Sequence, residues 1–162
     1  EVALLQQYPT SLVVRVSWLF SEEMPAWNFT QKMLELLQLK PQLQVVSDQI
    51  GKVTYAEELA RDILQLLPCE GLFHYAQSGI VSRYEYVQAL LQVLQEYNIK
   101  VACREITPVS SAMFPGGAPR PSYSALDTTK VEGVLKRRLM SYKEALADCI
   151  KAKLSRGELH AG

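Results

Sequence analysis

Ser11-Leu-Val-Val-Arg-Val-Ser17 is a short, β-branched and nearly continuous apolar run, the pattern of a parallel strand buried on both faces rather than of a strand with a wet side. Upstream of it, Glu1 to Gln7 reads as the tail of a helix, with Val2, Leu4 and Leu5 as apolar points and Pro9 closing it. A helix leading into such a strand is half of a βαβ unit, so the fold class is α/β. The opening carries no initiator Met and falls inside a helix, from which the chain is expected to start mid-protein.

Downstream, the apolar period changes. From Asn28 to Pro41, Phe29, Met33, Leu36 and Leu37 recur at helical spacing, predicting an amphipathic helix. Leu43 to Ser47 reads as a second short strand. After a turn at Gly51, Thr54-x-x-Glu57 has the form of a capping box for a helix through Leu59, Ile63, Leu66 and Leu67, ended by Pro68. Gly71 to Ala76 is a strand candidate, Gly79 a turn, and Ser82-x-x-Glu85 a second box before a helix with Val87, Leu90, Leu91 and Leu94 inward. Ile99 to Val109 holds one more strand. Ser110 to Ser124, rich in Pro and Gly, is too long for a simple connection and is expected to be functional. Two helices close the chain, the second opened by Ser141-x-x-Glu144 and carrying Leu146, Cys149, Ile150 and Leu154, with residues 155–162 as a frayed tail.

Composition narrows the function classes. Of 162 residues, 48% are hydrophobic and 21% charged, which is ordinary for one globular domain. Lys plus Arg and Asp plus Glu both number 17, so neither nucleic acid nor an anionic membrane is an expected partner, and an anionic ligand must be met by local charge. The three cysteines, Cys69, Cys103 and Cys149, are odd in number and widely spaced, which suits neither a disulfide framework nor a metal site and favours a reducing, cytoplasmic setting. No apolar run approaches the ~20 residues of a membrane span, and no signal segment opens the sequence.

Four residues stand where ligand sites of open α/β sheets form, at strand ends, helix starts and loops. Trp18, just past the first strand, can wall a sugar or base, or pack on the neighbouring helix. Asn28, followed by Phe29, sits where a helix begins; it can cap that helix, and the helix terminus can also favour a phosphate. Arg120, between Pro119 and Pro121, is a guanidinium on a restricted backbone, suited either to a diphosphate oxygen or to an acidic neighbour in solvent. His74 lies in an apolar strand without triad partners and has no assigned role. There is no glycine-rich phosphate loop, and none of the eight tyrosines is followed four residues later by Lys, so no catalytic residue is assigned within the chain.

Leu12-Val-Val-Arg-Val-Ser-Trp-Leu-Phe20, Asn28-Phe29, Val45-Val-Ser-Asp-Gln-Ile-Gly51, Thr54-Tyr55, Gly71-Leu-Phe-His-Tyr75, Arg120-Pro121 and Ser124-Ala-Leu-Asp-Thr-Thr-Lys130 together resemble the dTDP-4-dehydrorhamnose reductases, in order and approximate spacing over nearly the whole chain. The resemblance implies the C-terminal part of a Rossmann-like sugar-nucleotide reductase. Residues 1–20 would be the end of a Rossmann helix and one of the last Rossmann strands, the rest a small mixed α/β substrate-binding lobe, with the dinucleotide-binding half and its Tyr-x-x-x-Lys upstream of residue 1. It implies NADPH- or NADH-dependent reduction of dTDP-4-dehydro-L-rhamnose to dTDP-L-rhamnose, a dTDP-sugar as ligand, and a homodimer as one arrangement of the parent. It places Trp18 along the sugar and Asn28, with Phe29 beside it, and Arg120 toward the diphosphate. The alternative is a non-catalytic sugar-nucleotide-binding or regulatory subunit of the same fold. Three stretches depart from the family pattern: Ser21-Glu-Glu-Met-Pro-Ala-Trp27 is longer and more acidic, Val53 stands where proline is common, and Phe114-Pro-Gly-Gly replaces a Tyr-Pro-Thr-Pro-like stretch.

Overall fold

A computed structural model describes residues 1–114 and 120–160. After helix α1 (Val2–Gln7), strand β1 (Leu12–Val16) runs parallel to β6 (Gly71–Tyr75), with Val14 opposite Phe73. The short β2 (Leu19–Phe20) pairs in parallel with β5 (Thr54–Tyr55), and β3 (Gln42–Val46) with β8 (Glu105–Val109). A fourth small sheet centres on β4 (Ile50–Gly51), antiparallel to β7 (Val81–Ser82) and parallel to β9 (Tyr123–Ser124). The remaining helices are α2 (Phe29–Leu39), α3 (Ala56–Leu66), α4 (Arg83–Glu96), α5 (Thr129–Leu135) and α6 (Tyr142–Ser155). The α/β class read from the sequence is observed, with parallel pairs dominating.

Two apolar clusters organise these elements. Leu66, Phe73, Tyr75, Val131, Leu135 and Leu139 bring α3 and α5 onto β6, and Leu12 and Val14 of β1 pack against them. The larger cluster gathers α2, α4 and α6 around β3 through Leu34, Leu37, Val45, Leu90, Leu94, Leu146 and Ile150. Among the described residues the first cluster covers β1 on one face, so the apolar run leaves hydrophobic surface such as Val16 exposed. Leu12, Val13 and Val14 are half-buried, and Arg15 on the alternate face is exposed and pairs with Glu1.

Of the three capping boxes read from the sequence, two form. Ser82 and Ser141 each accept from the N–H of the glutamate three residues on, while Glu85 and Glu144 accept from the cap backbone. These bonds hold both glutamates below the usual carboxylate range. The third does not form, because the N-cap of α3 falls one residue later, at Tyr55, which makes no side-chain cap bond. Thr54 is instead a buried tie between strands: its Oγ1 donates to the Tyr75 carbonyl at 3.1 Å and accepts from Ser17 N–H at 3.2 Å. Glu57 is redirected to the Glu22 N–H.

The tail also differs from the frayed segment expected. Leu159 is buried, Lys153 pairs with Glu158, and Arg156 bridges Glu158 and Glu22, tethering the described part of the tail to the Ser21–Trp27 loop. Residues 161–162 lie outside the described residues.

Between the two clusters runs a buried polar network. Glu58 and Asp62 of α3, each 3% exposed, share the guanidinium of Arg137, at 2.9 Å and 2.6 Å. Tyr75 Oη donates to Asp62 at 2.7 Å, and Gln77, which also donates to Glu58, accepts from the Tyr55 N–H. A buried carboxylate pair is tolerable only with this degree of satisfaction.

Candidate functional site

The end of β1 sets the site. Ser17 Oγ donates to the Lys52 carbonyl at 2.5 Å and Ser17 N–H donates to Thr54, so the chain is pinned on both sides as it leaves the strand. Trp18 is thereby held at φ 44°, in the left-handed region that a bulky residue enters only under constraint. Its indole lies along the backbone of Gly51. A Cβ added there would come within 2.9 Å of Trp18 Cζ2, so the glycine is required by close approach.

Trp18 forms part of a cleft of about 390 Å³ lined also by Leu19, Trp27, Asn28, Phe29, Thr30, Val53, Arg83, Tyr86 and Arg120. The four residues singled out from the sequence, Trp18, Asn28, Phe29 and Arg120, thus meet in one place. Among the described residues, none of the lining side chains is acidic.

Asn28 caps α2, as its helix-start position suggested: its Oδ1 accepts from Thr30 N–H at 2.9 Å and its Nδ2 donates to the Leu19 carbonyl at 2.8 Å. The carboxamide is therefore mostly engaged by the chain itself, with one N–H of Nδ2 left over. What α2 adds to the cleft is the positive end of its backbone. Phe29, its first residue, packs near Tyr86, whose hydroxyl bonds Thr30 at 2.9 Å and whose burial raises its pKa. Arg120 is exposed at the cleft; Gly116, Gly117, Ala118 and Pro119 before it lie outside the described residues, as does the 115–117 part of the Phe114-Pro-Gly-Gly stretch. The long loop is anchored at its start, where Asp48 accepts from the Ser110 and Ser111 hydroxyls and the Ser111 N–H and is held below its usual pKa by them.

Sequence reasoning missed Arg83. Its guanidinium carbon sits 3.8 Å from the Trp18 ring centroid and 4.3 Å from that of Phe29. Burial here, with Arg120 adding positive charge, brings its pKa down to about 10, so it is still a cation at neutral pH. A readable signal existed. The Ser82 capping box makes Arg83 the first residue of α4, and a cation at the positive end of a helix is electrostatically misplaced unless an anion joins it. Trp27 was also missed; it is 85% exposed at the cleft. His74 remains without a chemical role, its Nε2 being 3.3 Å from Arg15 Nη1 in the β1–β6 pair.

The described residues of this cleft, aromatic, with two arginines and no carboxylate, stand at the end of a parallel strand of an α/β protein, a place and a chemistry suited to a phosphorylated ligand. A family profile described as RmlD substrate binding domain matches residues 1–155, and the chain belongs to that family. It is 33% identical over 148 residues to the spore coat polysaccharide biosynthesis protein SpsK of Bacillus subtilis, covering 90% of this chain and 48% of that protein. To the dTDP-4-dehydrorhamnose reductase of Mycobacterium tuberculosis (strain ATCC 25618 / H37Rv) it is 32% identical over 155 residues, covering 94% of this chain and 49% of that one. Among solved structures, dTDP-4-dehydrorhamnose reductase from Bacillus anthracis in complex with NADP is similar with a TM-score of 0.73 at 26% identity, over 86% of this chain and 47% of that one. The chain spans about half the length of the curated relatives it matches. Among the described residues no helix is long and apolar enough to cross a membrane, and no cluster of His, Cys, Asp and Glu could hold a metal ion.

Proposed function

We propose that this chain is the substrate-binding part of an NAD(P)H-dependent reductase that converts dTDP-4-dehydro-L-rhamnose to dTDP-L-rhamnose. The observation that carries the reading is the meeting of Trp18, Asn28, Phe29 and Arg120 in one carboxylate-free cleft, in a chain of the RmlD substrate-binding family. In this proposal the Trp18 indole and the Phe29 ring bound the pocket, the α2 N-terminus and Arg120 meet the diphosphate, and Val53 sits on the wall where its apolar side chain cannot compete for the sugar hydroxyls.

The residues present do not fit a dinucleotide cofactor. The eight glycines include no Gly-x-Gly-x-x-Gly, and no tyrosine has a lysine four residues on. No chemical step is therefore assigned to this chain. Its contribution is to bind the nucleotide, orient the sugar and limit water around it, while the nicotinamide and the proton donor belong to a dinucleotide-binding half. The test is turnover. The chain joined to such a half should consume NADPH or NADH with dTDP-4-dehydro-L-rhamnose and release dTDP-L-rhamnose, identified by mass and NMR. Failure to reduce that sugar, with the cofactor demonstrably bound, would overturn the assignment, and retained dTDP-sugar binding in that case would favour a non-catalytic binding subunit.

A further inference from the structure

We propose that Arg83 is the second arm of the diphosphate receptor: its guanidinium, held on the Trp18 and Phe29 rings, and that of Arg120 each take one phosphoryl group of a nucleoside diphosphate. The proposal deepens the dTDP-sugar reading of the cleft and rests on it.

Three independent features converge on Arg83. The first is its electrostatic situation. Arg15, Arg137 and Arg156 each pair with a carboxylate, whereas among the described residues Arg83 forms no ion pair, although it is the arginine whose burial most depresses its basicity. A desolvated cation without a counter-ion is costly, and the cost is compounded by Arg120 facing the same cleft. A ligand bearing two negative charges relieves both terms at once. The second is geometry. A guanidinium lying over an aromatic ring is fixed in plane, leaving its N–H edges to make paired bonds with phosphate oxygens, so less entropy is lost on binding than from a free side chain. The third is position. As the first residue of α4, with its own N–H donating to the Gln49 carbonyl at 3.1 Å, Arg83 is rooted on the β4–β7 side of the cleft, while Arg120 enters from the loop before β9. The two cations thus come from separate elements, and a monophosphate offers only one group for both.

This also refines the part played by Trp18. The indole surface under Arg83 is taken, so Trp18 is a positioning residue for the guanidinium as well as a wall of the cleft.

The experiment is calorimetric titration of the chain with two probes, dTDP and dTMP, for the wild type, Arg83→Gln and Arg83→Lys, with thermal melts to establish folding. The wild type should prefer dTDP. Arg83→Gln should weaken dTDP roughly ten- to a hundredfold, weaken dTMP much less, and so collapse the preference. Arg83→Lys, which keeps the charge but loses the planar fork, should recover only part of it and carries the test if the Gln variant does not fold. Unchanged dTDP affinity in the folded variants would overturn the proposal and leave Arg83 a packing residue, with the dTDP reading intact. Absence of dTDP binding to the wild type would overturn that reading itself, and this proposal with it.

Discussion

Gly51→Ala asks whether the Trp18 platform is as tightly built as it looks. The new methyl would lie 2.8 Å from Ser124 Oγ and 2.9 Å and 3.0 Å from two carbons of the Trp18 indole. Carbon atoms rest at roughly 3.5–4.0 Å, so relief requires Ser124 to rotate and the indole to move by about half an ångström or more. Ser124 can give, at the expense of its bond to the Ile50 carbonyl. The indole is less free, because Trp18 is fixed at φ 44° and Arg83 lies over its ring. Overpacking of this kind costs ~1–3 kcal/mol, and the displaced ring carries Arg83 with it. Urea denaturation of the variant should therefore show that loss, tryptophan fluorescence should shift, and dTDP affinity should fall. Wild-type stability together with wild-type affinity would refute the view that Gly51 exists to admit the indole.

Three further outcomes are expected. Arg137→Ala leaves Glu58 and Asp62 buried without their cation; such losses cost ~3–5 kcal/mol, and because Arg137 is itself 41% exposed the lower end is expected, read by urea denaturation, with a large recovery when Glu58→Gln and Asp62→Asn are added. In the reductase proposed above, with the chain joined to a dinucleotide-binding half, Arg120→Ala should raise KM roughly ten- to a hundredfold with a smaller effect on kcat, whereas Trp18→Ala should lower kcat as well; wild-type KM in the first or unchanged kcat and KM in the second would remove those residues from the site. Burial raises the pKa of Tyr55, Tyr75 and Tyr86 and pushes the Cys149 thiol up to about 12, so the unfolded chain releases these protons first. Stability should then be intact below the ordinary tyrosine and cysteine range and fall as pH rises through it, as pH-dependent melts can establish.

The sequence disclosed those parts of the fold that depend on local rules. Ser82 and Ser141 cap as their spacing indicates because each box needs only its own helix. Thr54-x-x-Glu57 has the same spacing and fails, because Thr54 is claimed by Ser17 and Tyr75 from distant strands. β1 has the composition of a strand covered on both faces, while the described residues cover one face of it and leave Val16 exposed; composition alone cannot say what covers the other. The same division runs through the site. Trp18, Asn28 and Arg120 stood out by their places at a strand end, at a helix start and between two prolines, the family resemblance added Phe29 and the roles proposed for all four, and the cap formed by Asn28 was visible from its position. Arg83 was not found, since its meaning comes from two rings some 54 to 65 residues earlier in the chain, at Phe29 and Trp18. Only its placement at a helix N-terminus hinted that it had a purpose other than solvation.

The most direct test of the cleft is an NMR titration of the isotopically labelled chain with dTDP-L-rhamnose. The resonances expected to move are the Trp18 and Trp27 indole N–H, the backbone amides of Phe29 and Thr30, and the guanidinium N–H of Arg83 and Arg120, saturating together with a single Kd. Saturable shifts centred instead on the α4–α6 groove at Ile80, Gln88 and Lys143, or no saturable shift at all, would contradict the assignment of this cleft as the sugar-nucleotide site.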